Sequence, residues 1–230
     1  MSELNSHHIR EHRSILMTAE KRLLIWIAKK LPGRVTSDLL TLLGFLGMLM
    51  AGLSYWAASR DERALLLVVP ALALNWFGDS LDGTLARVRN CQRNRYGFYV
   101  DHILDMIGAA ILTAGLSASG LMTPWIAFGL LAGFLLVCAE SYLATHTLGV
   151  FRLALMRVGG TELRILLAFG TVWLLYKPTV QVGSFGPFML FDVGGVCAMA
   201  GLTAALIYSA VRNARALYKA EPLVSSGGSR

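Results

Sequence analysis

From Leu39 to Ser59 the chain runs for 21 residues without a formal charge. A helix needs about 20 predominantly apolar residues to cross the hydrocarbon of a bilayer. Comparable apolar blocks recur along the 230 residues, of which 55% are hydrophobic and only 15% charged. That excess is too great for the single core of a water-soluble domain. It also excludes a disordered chain and a small disulfide-stapled scaffold. The blocks are continuous and do not alternate, which argues against a lipid-facing barrel. The expected fold is therefore all-α: a polytopic integral membrane protein.

Six transmembrane helices are expected, near Leu39–Ser59, Ala64–Arg87, Phe98–Leu121, Thr123–Leu148, Glu162–Tyr176 and Phe191–Ala210. The fifth is short of apolar residues. Residues 14–31 mix Leu16, Leu23, Leu24, Ile27 and Leu31 with Lys21, Arg22, Lys29 and Lys30. That pattern predicts an amphipathic helix lying on the membrane interface. The expected organisation is a cytoplasmic N-terminal part with that helix (1–35), a six-span domain (36–215) and a flexible cytoplasmic tail (216–230).

Positive charge orients the spans. Of 21 Lys and Arg, only Arg60, Arg63 and Lys177 fall on one side; the rest precede the first span, follow the last, or sit in the second and fourth connections. The positive-inside rule then puts both termini in the cytoplasm. The opening MSELNSHHIREHR is polar, so no cleavable leader is expected, and a bacterial inner membrane is the expected location. The net charge of +7 reads as basic loops beside anionic lipid, not as a nucleic-acid surface. Cys91, Cys138 and Cys197 have neither metal-ligand nor redox spacing.

Carboxylates lie where a membrane should have none. Asp79 and Asp82 are three residues apart, followed by Gly83, Ala86 and Arg87; Asp101 and Asp105 are four apart, after Gly97. Each such charge costs on the order of 3 kcal/mol on insertion scales, so four need compensation. Residues three or four apart share a helix face, so two antiparallel helices can aim four carboxylates at one point. Oxygen ligands without His or Cys suit a hard divalent cation, Mg²⁺ or Mn²⁺. Four carboxylates fit a two-ion site for in-line phosphoryl transfer. Gly83 leaves room for a ligand against the backbone, and Arg87 can take phosphate oxygens in pairs. Buried Asp–Arg pairs and an intramembrane ion pathway are the alternatives.

The segment resembles the signature of the CDP-alcohol phosphotransferase family, D-x2-D-G-x2-A-R followed by G-x3-D-x3-D. Every specified position is present: Asp79, Asp82, Gly83, Ala86, Arg87, Gly97, Asp101 and Asp105. The resemblance implies displacement of CMP from a CDP-alcohol by the hydroxyl of a second alcohol, within phospholipid synthesis. It implies metal ligation by Asp79, Asp82 and Asp101, with Asp105 as general base and further ligand. It places Gly83, Ala86 and Arg87 on the CDP moiety, and implies a homodimer. A metal transporter or an inactive lipid-binding relative is the competing class. One departure stands at Thr36-Ser37-Asp38-Leu39-Leu40-Thr41, where many members have T-P-N-x-L-T. Thr41 keeps its expected place at the cytidine, Ser37 replaces proline, and Asp38 reads as a helix N-cap.

The acceptor is less legible. Asp101-His102, Glu140-Ser141-Tyr142 and Gly159-Gly160-Thr161-Glu162 resemble pieces of the choline and ethanolamine phosphotransferases, with Gly160 where proline is usual. That resemblance implies a CDP-amino alcohol donor and a role for Glu140 at a cationic headgroup. Arg152, Arg157 and Arg164 offer the opposite: CDP-diacylglycerol as donor and a polar alcohol, such as a sugar or inositol phosphate, as acceptor. Glu140 paired to one of these arginines, Glu162 as a first-turn helix charge, and the arginines as a topology signal are the structural alternatives. Gly129 and Gly133 form a G-x-x-x-G that suits close helix contact, within the chain or in a dimer.

Overall fold

The computed structural model describes residues 17–149 and 160–221. The expected tail beyond 221, and Arg152 and Arg157, lie outside the described residues. Seven helices follow one another: α1 (Met17–Lys30), α2 (Ser37–Ala58), α3 (Leu65–Val88), α4 (Asn94–Ser119), α5 (Pro124–Leu148), α6 (Gly160–Leu174) and α7 (Leu190–Ala220). A 3₁₀ turn, Glu62–Ala64, leads into α3, and a two-stranded antiparallel hairpin, β1 (Thr179–Gln181) with β2 (Pro187–Met189), joins α6 to α7.

Among the described residues, five stretches are long and apolar enough to cross a membrane: Ser37–Ala58, Glu62–Val88, Asn94–Ser119, Pro124–Leu148 and Leu190–Ala220. These match five of the six expected spans. The fifth expected span, Glu162–Tyr176, appears as α6, which has 15 residues. The residues before Gly160 lie outside the described ones, so 15 is the length of its described part. The hairpin has no counterpart in the sequence reading.

The helix ends follow from local chemistry. Thr36 is extended and its side chain accepts the Leu39 N–H at 3.2 Å, so Thr36 caps α2. The expected cap, Asp38, lies instead in the first turn of α2 and pairs with Arg93. That hydrogen bond raises the Arg93 pKa above its ordinary value. Gly120 and Gly149 close α4 and α5 in the left-handed region (φ 76° and 68°), which glycine enters at no steric cost. At the start of α7, Asp192 accepts both the N–H and the hydroxyl of Thr123, each at 2.7 Å, fastening α7 to the start of α5.

Lipid is as apolar as leucine, so helices in a bilayer associate through close packing and hydrogen bonds. Small residues make that contact between α2 and its neighbours. A Cβ on Gly47 would lie 2.8 Å from the Ala71 carbonyl oxygen, and one on Gly78 would run into the Gly44 and Leu40 backbone. Gly52 and Gly115 bring α2 and α4 together in the same way. Gly129 and Gly133 face Met199 and Leu202 of α7, so the G-x-x-x-G serves packing within the chain. A buried cluster of Ala51, Tyr55, Leu65, Val68, Leu72, Leu116 and Phe191 runs through the bundle. Tyr55 and Thr171 share a buried hydrogen bond of 2.5 Å, which ties α2 to α6.

The helix α1 packs against α2 and α3 through part of its surface, with Leu23 and Trp26 exposed. Lys21, Arg22, Lys29 and Lys30 are exposed, while Leu24 and Ala28 are buried with Leu40, Leu81 and Leu85. Arg89, just past α3, donates to the Leu31, Pro32 and Val35 carbonyls and so clamps the α1–α2 link.

Candidate active site

Asp79 comes from the second half of α3, and Asp101 and Asp105 from the first half of α4. Each offers one carboxylate oxygen, and the three oxygens lie within 4.8 Å of one another. They line a small open cleft, with Phe45, Met48 and Leu104 as the apolar wall. Thr41, Asn75 and the three acids line the polar side.

Four converging carboxylates were expected, and three converge. The fourth, Asp82, is about 60° around α3 from Asp79, as three steps of 100° require. It is 8% exposed, and its Oδ2 accepts the Thr41 hydroxyl at 2.6 Å. Its other oxygen accepts the Gly83 N–H. Ser37, standing where proline was expected, occupies the first position of α2, where proline is favoured. Its hydroxyl instead donates to the Asp82 carbonyl at 2.8 Å. The start of α2 is thus attached to the acid motif by Ser37 and Thr41 together.

Gly83 and Ala86 lie beside this junction. Gly83 faces Arg87, whose nitrogen would be 3.3 Å from an added Cβ. Ala86 is 9% exposed. The Arg87 side chain is exposed and donates to Thr84 at 3.0 Å. A Cβ on Gly97 would meet nothing within 4 Å.

The acceptor candidates separate. Arg164, on the first turns of α6, reaches the acids: its Nη2 donates to Asp79 Oδ2 at 2.6 Å, and its Nε to Asn75 Oδ1 at 2.5 Å. Glu162 lies in the first turn of α6, where negative charge is favoured. Glu140 accepts from Asn213 of α7 at 2.7 Å, and its second oxygen is buried with no hydrogen-bond partner among the described residues. Glu140 shares a face of α5 with Gly129 and Gly133, about 160° from Tyr142. On that other face, Tyr142 forms edge contacts with Phe98 and His102 of α4. His102 Nδ1 donates to the Phe98 carbonyl at 2.7 Å and lies 3.7 Å from Asp101.

A carboxylate-only set at this spacing suits a hard divalent cation, and Arg164 engages one oxygen of Asp79, leaving the other open to a ligand. One neighbour was missed from sequence. Asn75, one turn before Asp79 and only 3% exposed, was a polar residue inside an apolar run.

Two helices long and apolar enough to cross a membrane thus meet at a carboxylate cluster, with Gly83 and Arg87 on α3 beside it. The family model for CDP-alcohol phosphatidyltransferases matches residues 34–210, and the chain belongs to that family. It is also similar to the archaetidylinositol phosphate synthase of Pyrococcus horikoshii, 28% identical over 120 residues. That match covers 50% of this chain and 61% of the relative, so the chain spans less than two thirds of the relative's length.

Proposed function

We propose that the protein displaces CMP from a CDP-alcohol with the hydroxyl of a second alcohol, leaving a phosphodiester phospholipid. The convergence of Asp79, Asp101 and Asp105 on one cleft is the observation that carries this reading. Asp79, Asp101 and Asp105, with Asp82 beside them, would hold Mg²⁺ or Mn²⁺, two ions in this reading. Bound there, the cations neutralise diphosphate charge.

Asp105 is exposed to the cleft and takes the proton of the attacking hydroxyl. The hydroxyl oxygen bonds to the phosphorus attached to the donor alcohol. The P–O bond to CMP breaks, and the pair of electrons leaves with CMP. Gly83, Ala86, Arg87 and Thr41 hold the CDP moiety, Arg87 through its guanidinium and Gly83 by leaving the backbone bare.

Of the two donor directions, CDP-diacylglycerol with a polar alcohol is the better fit. Arg164 stands at the acids, whereas Glu140 faces α7 and Asn213. A relative named for making archaetidylinositol phosphate agrees with a phosphate-bearing acceptor. Both termini and the cleft face the cytoplasm in this reading. The homodimer it includes would use a face other than Gly129 and Gly133, which α7 covers.

The test is CMP release by purified protein in detergent with Mg²⁺. The donors are CDP-diacylglycerol with a panel of polar alcohols and their phosphates, and CDP-choline or CDP-ethanolamine with diacylglycerol. Release from CDP-diacylglycerol is expected, and Asp105→Asn should abolish it in a folded protein. Release only from a CDP-amino alcohol reverses the direction; no release from any pair overturns the reading.

A further inference from the structure

Glu20 is remote in sequence from the acid motif, yet it joins three helices. It sits on α1, half-buried, while its neighbours Lys21 and Arg22 are exposed. Its Oε1 accepts two hydrogen bonds of 2.7 Å, from the Trp76 indole on α3 and from the Thr161 hydroxyl on α6. Trp76 follows Asn75 and precedes Asp79 by three residues. Thr161 precedes Arg164 by three residues, so the two share a face of α6. Arg164 returns to α3 at Asn75 and Asp79. The contacts therefore close a ring: Glu20 to Trp76, along α3 to Asn75 and Asp79, across to Arg164, and back along α6 through Thr161.

A single contact between two helices leaves them free to turn about it. Two separated contacts fix rotation and rise together. The Arg164 fork is one, and Glu20, bridging Trp76 to Thr161, is the other. A carboxylate suits the second position because it only accepts, and one oxygen can take two donors. Its charge strengthens both bonds.

We propose that Glu20 is a positioning residue for the transfer reaction: by holding Trp76 and Thr161 on one carboxylate oxygen, it sets α6 against α3 and keeps the Arg164 guanidinium at Asp79. The proposal rests on the reading of the acid cluster as the transfer site. Glu20 touches neither the cleft nor the acids, and it acts through Arg164.

The test compares Glu20→Ala, Glu20→Gln, Arg164→Ala and the Glu20→Ala/Arg164→Ala double variant in the full chain in detergent. CMP release from CDP-diacylglycerol is one readout. Amide hydrogen exchange of residues 164–168, without substrate, is the other. Glu20→Ala should lower kcat/KM about ten-fold, the size of one charge-assisted hydrogen bond, and Glu20→Gln should stay within about three-fold of wild type. The double variant should be no slower than Arg164→Ala, because the two act through one contact. Exchange at 164–168 should speed up in Glu20→Ala and recover in Glu20→Gln. Multiplied losses in the double variant, or a wild-type rate for Glu20→Ala, overturn the proposal. If wild-type protein releases no CMP, the transfer reading fails by itself, and exchange decides the proposal: unchanged protection in Glu20→Ala overturns it, and faster exchange sustains the tie between α1 and α6.

Discussion

Asn75 makes two hydrogen bonds that tie α3 to α2 and to α6. Its amide nitrogen donates to the Gly44 carbonyl at 2.9 Å and its oxygen accepts from Arg164. Asn75→Leu keeps the approximate volume and removes both. The Gly44 carbonyl and the Arg164 Nε then lose their partner in a buried place. Such losses cost about 1–3 kcal/mol in water-soluble proteins, and interhelical bonds in membranes average nearer 0.6. A loss of about 1–2 kcal/mol is expected, read as a lower unfolding temperature in detergent, together with slower CMP release. An unchanged unfolding temperature would show that neither bond contributes. The motif residues were legible because their spacing of three and four is a statement about one helix face. Asn75 was not, since its partners lie 31 and 89 positions away. Glu20 was still less so, with Thr161 141 positions distant. Asp82 shows the limit within the motif itself: spacing gave its direction about α3, and only α2 could show that Thr41 meets it there.

At the scale of elements, the site depends on how closely α2 approaches α3. Gly78→Ala would drive a methyl into the Gly44 and Leu40 backbone, which cannot rotate aside as a side chain can. Forcing volume into a packed seam costs about 1–3 kcal/mol, and here it would also draw Thr41 away from Asp82. The expected result is a less stable protein with CMP release reduced further than Asn75→Leu reduces it. Gly97→Ala is the contrast, because a Cβ there meets nothing within 4 Å. Its stability should be unchanged within about 0.5 kcal/mol, alanine being the better helix former. If CMP release nevertheless falls, the open space at Gly97 is space a substrate uses. A destabilised Gly97→Ala would contradict the open surroundings. The small residues of this seam were visible in the sequence, but which helices they join was not. G-x-x-x-G spacing left a dimer as plausible as a partner within the chain until Met199 and Leu202 were seen facing it. The N-cap was misplaced for a related reason: Thr36, Ser37 and Asp38 are all capping residues, and only backbone angles choose among them.

For the molecule as a whole, the open question is which helices cross the membrane. α6, described from Gly160 onward, runs between the two ends of the bundle. Its Arg164 reaches Asp79, while its last residue, Leu174, packs with Leu116, Met122 and Phe191. Those three belong to the end where Asp192 holds Thr123. Between the α3–α4 loop and the β1–β2 hairpin lie α4, α5 and α6. If α6 crosses, the loop and the hairpin are on opposite sides; if it does not, two crossings return the hairpin to the side of the loop. Cys91 is exposed in the loop and reports its side directly. Cys138 and Cys197 would be replaced by alanine, and a second variant would carry Ser184→Cys with Cys91 also replaced. A membrane-impermeant maleimide applied to intact cells should label Ser184→Cys and spare Cys91, with the reverse in inverted vesicles. That outcome is the one the positive-inside rule predicts from the basic residues Arg87, Arg89, Arg93 and Arg95 of the loop. Labelling of both from one side would leave α6 as a re-entrant helix, held at the acids by Arg164 without crossing.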